Sequence, residues 1–97
     1  MSYALTLVFE GIGEQDYLAV NALLGLADDG SGWPAGILSH VGGPTPTGWV
    51  VSEIWDSKES QQAFLAARLG PALAGAKVAP PVQVIETIPV GSYPPRS

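Results

Sequence analysis

The sequence predicts an α+β fold of β-α-β-β-α-β order, a four-stranded antiparallel sheet with two helices on one face. Three observations predict it. Four segments rich in β-formers (4–10, 36–41, 49–55 and 82–88) are spaced along the chain, and two stretches of helical period lie between the first and second and between the third and fourth. Clusters of Gly, Pro or Asp mark most changes of period.

Ala4-Leu5-Thr6-Leu7-Val8-Phe9-Glu10 reads as the first strand and ends at Gly11-Ile12-Gly13. That turn resembles the start of a dinucleotide fingerprint, but Asp16 stands where its third glycine would fall, so a plain strand-to-helix turn is expected. From Glu14, the residues Tyr17, Val20, Leu23, Leu24 and Ala27 share one helical arc, with Glu14 and Asp16 in the first turn where the macrodipole favours carboxylates. Asp28-Asp29-Gly30-Ser31-Gly32 stops this helix; it lacks further ligands at calcium-loop spacing and reads as a solvated turn. Residues 36–41 and 49–55 form a hairpin, with 42–48 expected as a loop longer than a two-residue turn. Asp56 or Ser57 caps a second helix, and Glu59 offers the reciprocal half of a capping box to Asp56. Phe64, Leu65, Leu69 and Ala72 make its inward stripe, and Gly70-Pro71 is expected to break or kink it, leaving a short helical piece over 71–76. Pro80-Pro81 ends that piece, 82–88 is the last strand, and 91–97 is an extended tail, loose or laid along a partner.

Composition narrows the function. Ninety-seven residues make one domain, 1–97, large enough to bury roughly 65% of the surface its unfolded chain exposes. The absence of cysteine excludes thiolate chemistry and fits a reducing, cytoplasmic location. The start, Met1-Ser2-Tyr3-Ala4-Leu5-Thr6, has neither the basic residues nor the long apolar run of a signal peptide, and no membrane partner is expected. Net charge is -5 and the basic residues Lys58, Arg68, Lys77 and Arg96 are scattered, so nucleic acid is not expected either. Only 13% of residues are charged while 46% are apolar, which points to apolar surface covered by another subunit.

Right-handed crossovers put both helices on one face of the sheet and leave the other bare. With Leu5, Leu7 and Phe9 facing the helices, the bare side carries Thr6, Val8 and Glu10. The hairpin residues expected beside them are Leu38 and His40 opposite Val51, Glu53 and Trp55, with Ile85 and Thr87 from the last strand, the register being open. Such a mixed apolar and ionisable face marks an interface or ligand site, and packing against a second copy covers it most simply, giving a dimeric barrel.

Val50-Val51-Ser52-Glu53-Ile54-Trp55-Asp56-Ser57-Lys58-Glu59, with Phe64 beyond, resembles the strand ending in Trp, capping Ser, acidic residue and amphipathic helix of the antibiotic-biosynthesis-monooxygenase-like members of the dimeric α/β-barrel superfamily. In element order the likeness covers nearly the whole chain. It implies a ferredoxin-like subunit, a homodimer through the sheets and a pocket between sheet and helices in each subunit. The family's activities range over cofactor-free oxygenation of polyketide-like aromatics, cyclisation and haem handling, and some members have no known reaction. Members tend to place an Asn on the strand that carries the Trp, or a His at the end of the second helix; this chain has Val51, Ser52 and Glu53 in the first stretch and Arg68 as the long polar side chain of the second.

His40, the only histidine, is the candidate general acid or base, its alternative being a hydrogen-bonded strand residue at the dimer interface. Glu53 shares a strand face with Trp55 and is the second catalytic candidate; its alternatives are a partly solvated strand position and an intersubunit ion pair with Arg68. Trp55, Leu38, Val51, Val8 and Phe64 are the expected pocket lining, and Trp33 and Trp49 are expected to anchor loops. A lone histidine without cysteine argues against a protein-built zinc site, and no cofactor is expected. Two functions follow as expectations: a cofactor-free monooxygenase or cyclase acting on a small aromatic molecule, and a non-catalytic homodimer that binds a small apolar ligand or serves as a structural domain.

Overall fold

The computed structural model describes residues 2–27 and 31–90; Asp28 and Asp29 of the solvated turn and the tail 91–97 lie outside them. In chain order the elements are β1 (Tyr3–Glu10), α1 (Glu14–Leu24), β2 (Ile37–Thr45), β3 (Gly48–Trp55), α2 (Lys58–Phe64), a π-helical turn (Leu65–Leu69), α3 (Gly70–Gly75) and β4 (Gln83–Thr87). The strands form one antiparallel sheet in the order β2-β3-β1-β4, and α2, the π turn and α3 together supply the second helix of the β-α-β-β-α-β order.

Local chemistry explains the element ends. Gly11 turns out of β1 at φ +73°. Gly13 caps α1 without a side chain, and the Asp16 carboxylate accepts from its N–H at 3.0 Å. At the other end, Gly25 adopts the left-handed conformation and closes the last turn onto Asn21 and Ala22. Ser57, not Asp56, caps α2: its Oγ accepts from the Ser60 N–H at 3.1 Å.

Two local expectations are corrected. The 42–48 stretch is no long loop. β2 runs on to Thr45 and pairs as far as Thr45 opposite Gly48, leaving a two-residue turn at Pro46-Thr47, and Thr45 Oγ1 accepts from the Gly48 N–H at 3.0 Å. Pro44 is tolerated because β2 is an edge strand that makes no ladder on its other side. Gly70-Pro71 likewise does not break the second helix. Proline lacks an N–H and its ring clashes with the carbonyl four residues back; the wider π turn, with the Gly70 N–H bonded to the Leu65 carbonyl, absorbs that clash and carries the helix on to Gly75. Leu65 is exposed, and Gln61, one turn before Phe64 on the same helical face, is buried with it on the inward stripe.

The core lies between the sheet and the helices. Tyr3, Leu5, Leu7 and Phe9 of β1 pack with Val20 and Leu24 of α1 and with Phe64, Leu69, Ala72 and Leu73 of the second helix. The register fixes the faces: Tyr3 pairs with Trp55, Leu5 with Glu53, Leu7 with Val51 and Phe9 with Trp49. Val51, Glu53 and Trp55 therefore face the helices, not the bare side where the sequence reading set them. His40 pairs with Glu53 and faces the helices too. A β-bulge between Ile37 and Ser39 makes this possible, because it shifts the parity of β2 by one so that Ile37 and His40 both point inward; Leu38 is left 61% exposed. The helix-free face carries Ala4, Thr6, Val8 and Glu10 of β1, Ser39 and Val41 of β2, Val50, Ser52 and Ile54 of β3, and Gln83, Ile85 and Thr87 of β4; Glu10 stands there as expected, whereas Glu53 and His40 have turned inward.

Candidate active site

Strand β3 presents Glu53 and Trp55 on one face because side chains two apart on a strand align. Both are buried, Glu53 at 6% exposure and Trp55 at 0%. A carboxylate tolerates such burial only with partners, and Glu53 has two: Trp55 Nε1 donates to Oε1 at 3.0 Å, and His40 Nδ1 lies 3.0 Å from Oε2. On the far side of the imidazole, His40 Nε2 lies 2.5 Å from the Tyr17 hydroxyl. A carboxylate partner assigns the proton of the neutral ring to Nδ1, so Nε2 accepts from Tyr17. The result is a continuous relay, Trp55–Glu53–His40–Tyr17, across β3, β2 and α1.

Aromatic packing holds the relay in position. The Tyr17 ring stacks on His40 at 5.9 Å and lies against Trp49 at 5.2 Å. Trp33 packs on His40 at 4.7 Å and donates its indole N–H to the Ala27 carbonyl at 2.9 Å, so it both ties down its loop and walls the site. Gly42 makes room for Tyr17: a Cβ there would sit 2.8 Å from the phenol Cζ. Trp49 is buried, and its Nε1 has no hydrogen-bond partner.

Two spaces meet at His40. An interior cavity of about 50 Å³ lies between sheet and helices, lined by Val51, Glu53, His40, Phe64, Trp49, Val20 and other core side chains. Outside it, between α1 and the edge strand β2, an open cleft of about 490 Å³ is bordered by Tyr17, Leu18, Asn21, Trp33, Leu38 and His40. A further groove of about 530 Å³, between β4 and the second helix, contains Tyr3 and Glu86 but no part of the relay.

Of the residues singled out from sequence, His40 and Glu53 are brought into direct contact, Val51 and Phe64 line the interior cavity, and Leu38 borders the outer cleft. Val8 stands on the helix-free face, as its alternation predicts, and is corrected as pocket lining because it borders neither space. Trp55 is also corrected, since it lies behind Glu53 against Phe64 and lines neither space. Within the chain, Arg68 Nη2 donates to the Leu24 carbonyl at 2.5 Å, capping the C-terminal end of α1. Tyr17 was legible only as a helix residue on the buried arc, because contact with a histidine 23 residues away leaves no local signal. Among the described residues no three His, Cys, Asp or Glu side chains converge as a metal site, and no helix is long and apolar enough to cross a membrane.

No protein-family model and no curated protein matches the sequence. Solved structures do. A provisionally assigned antibiotic biosynthesis monooxygenase from Chloroflexus aurantiacus J-10-fl superposes with a TM-score of 0.67 at 28% identity, covering 97% of this chain and 98% of its own. This chain has the antibiotic biosynthesis monooxygenase-like fold. SnoaB, a cofactor-independent oxygenase from Streptomyces nogalater, superposes with a TM-score of 0.59 over 97% of this chain and 96% of its own, and at 10% identity it shows likeness of fold alone. Within the monooxygenase-like fold, the relay is built from this chain's own Tyr17, His40 and Glu53.

Proposed function

We propose that this chain is a cofactor-independent enzyme of the oxygenase or cyclase kind, acting on a small aromatic, polyketide-like molecule in the cleft between α1 and β2. The Tyr17–His40–Glu53 relay carries this reading, and the provisional assignment of the Chloroflexus neighbour as a monooxygenase supports its general kind. A flat ring against Trp33 and Leu38 presents an acidic O–H or C–H to the Tyr17 hydroxyl and His40 Nε2. The Tyr17 oxygen takes that proton as Tyr17 passes its own to His40 Nε2, and the buried Glu53 carboxylate stabilises the imidazolium that forms. The substrate anion then has two outcomes. With dioxygen, an activated ring CH2 becomes C=O and the second oxygen atom leaves as water. Without it, the carbanion attacks a carbonyl carbon of the same chain, the new alkoxide recovers its proton from His40 through Tyr17, and water is lost as the ring closes.

The bare face suits a homodimer. Val8, Val41, Val50, Ile54 and Ile85 make an apolar surface that a second copy would cover with its own equivalent patch.

One observation favours the rival reading, a non-catalytic homodimer: the interior cavity between sheet and helices, at about 50 Å³, is far below the ~150 Å³ that accommodates a benzene ring. Oxygen uptake with phenolic and anthrone-type substrates, and product analysis by mass spectrometry, separates the two. The enzyme reading expects turnover that His40→Ala lowers by about 10²–10⁴-fold. No turnover across such a panel favours the non-catalytic domain, and turnover indifferent to His40→Ala removes the relay from the mechanism.

A further inference from the structure

We propose that the interior cavity is a dioxygen site, distinct from the cleft that takes the organic molecule; the inference rests on the oxygenase reading above. Size decides first. About 50 Å³ exceeds the roughly 10–15 Å³ that one water requires but is a third of the ~150 Å³ that holds benzene, so a diatomic fits and a substrate ring does not. Chemistry decides next. Val20, Leu24, Val51, Phe64 and Leu73 give the cavity a hydrocarbon wall, and the polar groups Tyr17, His40 and Glu53 at its edge are already bonded to one another, which leaves the Trp49 indole N–H as a single unpartnered donor. Water held there would need two to four polar partners. Dioxygen needs none, and it gains by leaving water for an apolar space.

Position supplies the third argument. Tyr17, Asn21, Trp33, Ile37 and His40 border both the cavity and the cleft, so dioxygen on the inner side is delivered past the same residues against which the substrate loses its proton. Trp49 adds a fourth. Its indole N–H, buried without a partner in the cavity wall, suits the negative charge that dioxygen acquires as it accepts electrons from the substrate anion.

The test uses dioxygen itself. In methyl NMR spectra of the intact protein under dioxygen pressure, the signals of Val20, Leu24, Val51 and Leu73 should broaden several-fold more than those of Leu18 in the outer cleft and of exposed Val90. Uniform broadening would overturn the proposal. Val20→Ile, which adds one methylene to the wall, should reduce the excess broadening and raise the KM for dioxygen more than that for the organic substrate; broadening and KM values unmoved by it also count against the site. Xenon diffused into crystals offers a measurement free of variants, with one xenon expected between Val20, Val51 and Leu73 and its absence there contradicting the assignment. Gas in the cavity without oxygen uptake on any aromatic substrate removes the oxygenase reading and leaves the gas site. Oxygen uptake with an empty cavity does the reverse.

Discussion

Trp55 Nε1 donates to Glu53 Oε1 at 3.0 Å, from a position two residues along the same strand. That bond commits one carboxylate oxygen and leaves the other, Oε2, turned to His40 Nδ1. It has a consequence for Glu53→Gln. The amide oxygen must take the place facing the indole N–H, so the NH2 group faces His40 and can only donate. The imidazole proton should therefore move from Nδ1 to Nε2, and turnover should fall by about 10²–10⁴-fold. Nitrogen chemical shifts of the chain's only histidine read the tautomer directly. In the double variant Glu53→Gln with Trp55→Phe the amide is free to rotate, and the Nδ1–H form should return; an Nδ1–H tautomer in the single variant would contradict this account.

Gly42→Ala should separate stability from function. The added Cβ would lie 2.8 Å from Tyr17 Cζ, and the end of a side chain can move away where backbone cannot. Stability should change by no more than about 1 kcal/mol, since strain and the stiffer unfolded chain act in opposite directions. Tyr17 should leave His40, and turnover should fall. Urea unfolding together with a crystal structure of the variant checks both halves; Tyr17 still bonded to His40 would show that Gly42 is not what seats it.

Tyr3 sets an alkaline limit on stability. Burial raises its pKa above 10.0, and the Glu86 carboxylate adds to the shift by charge and by hydrogen bonding, while Lys58 lies 6.0 Å from the ring centroid and 3.5 Å from Glu86. A phenol harder to ionise when folded than when unfolded leaves stability intact below about pH 10. Stability then falls as pH rises from the unfolded value through the folded one, because the unfolded chain releases the proton first. Unfolding measured at about pH 9 and about pH 11 should show this loss in the wild type and a smaller one in Tyr3→Phe. An equal loss in both would assign it to other groups.

Covering the bare face predicts an oligomeric state. Sedimentation at micromolar concentration should give a dimer for the wild type and monomers for Ile54→Lys, with Val8→Lys acting the same way, because one buried unpaired charge costs several kcal/mol. A monomeric wild type would leave that face exposed to water and defeat the proposal.

Sequence alone determined the kinds and order of the elements. Periodicity, caps and turn residues are local, and they marked β1, β3 and β4 to within a residue and the start of α1, whose end at Leu24 and Gly25 falls short of the expected Ala27, as well as the alignment of Glu53 with Trp55, which is two-residue alternation within one strand. It also placed Val8 and Ile85 on the helix-free face, where they stand whatever the register of the hairpin. Tertiary structure alone decided which residues form the site. A slip of one residue between strands sends every side chain to the opposite face, and no local pattern registers it. Pairing Leu5 with Glu53 turned β3 inward, the bulge at Leu38 turned His40 inward to meet it, and only the packing of α1 on the sheet brought Tyr17 to the imidazole. Long-range contacts of this kind depend on how the whole core closes, so they appear only when the chain is folded.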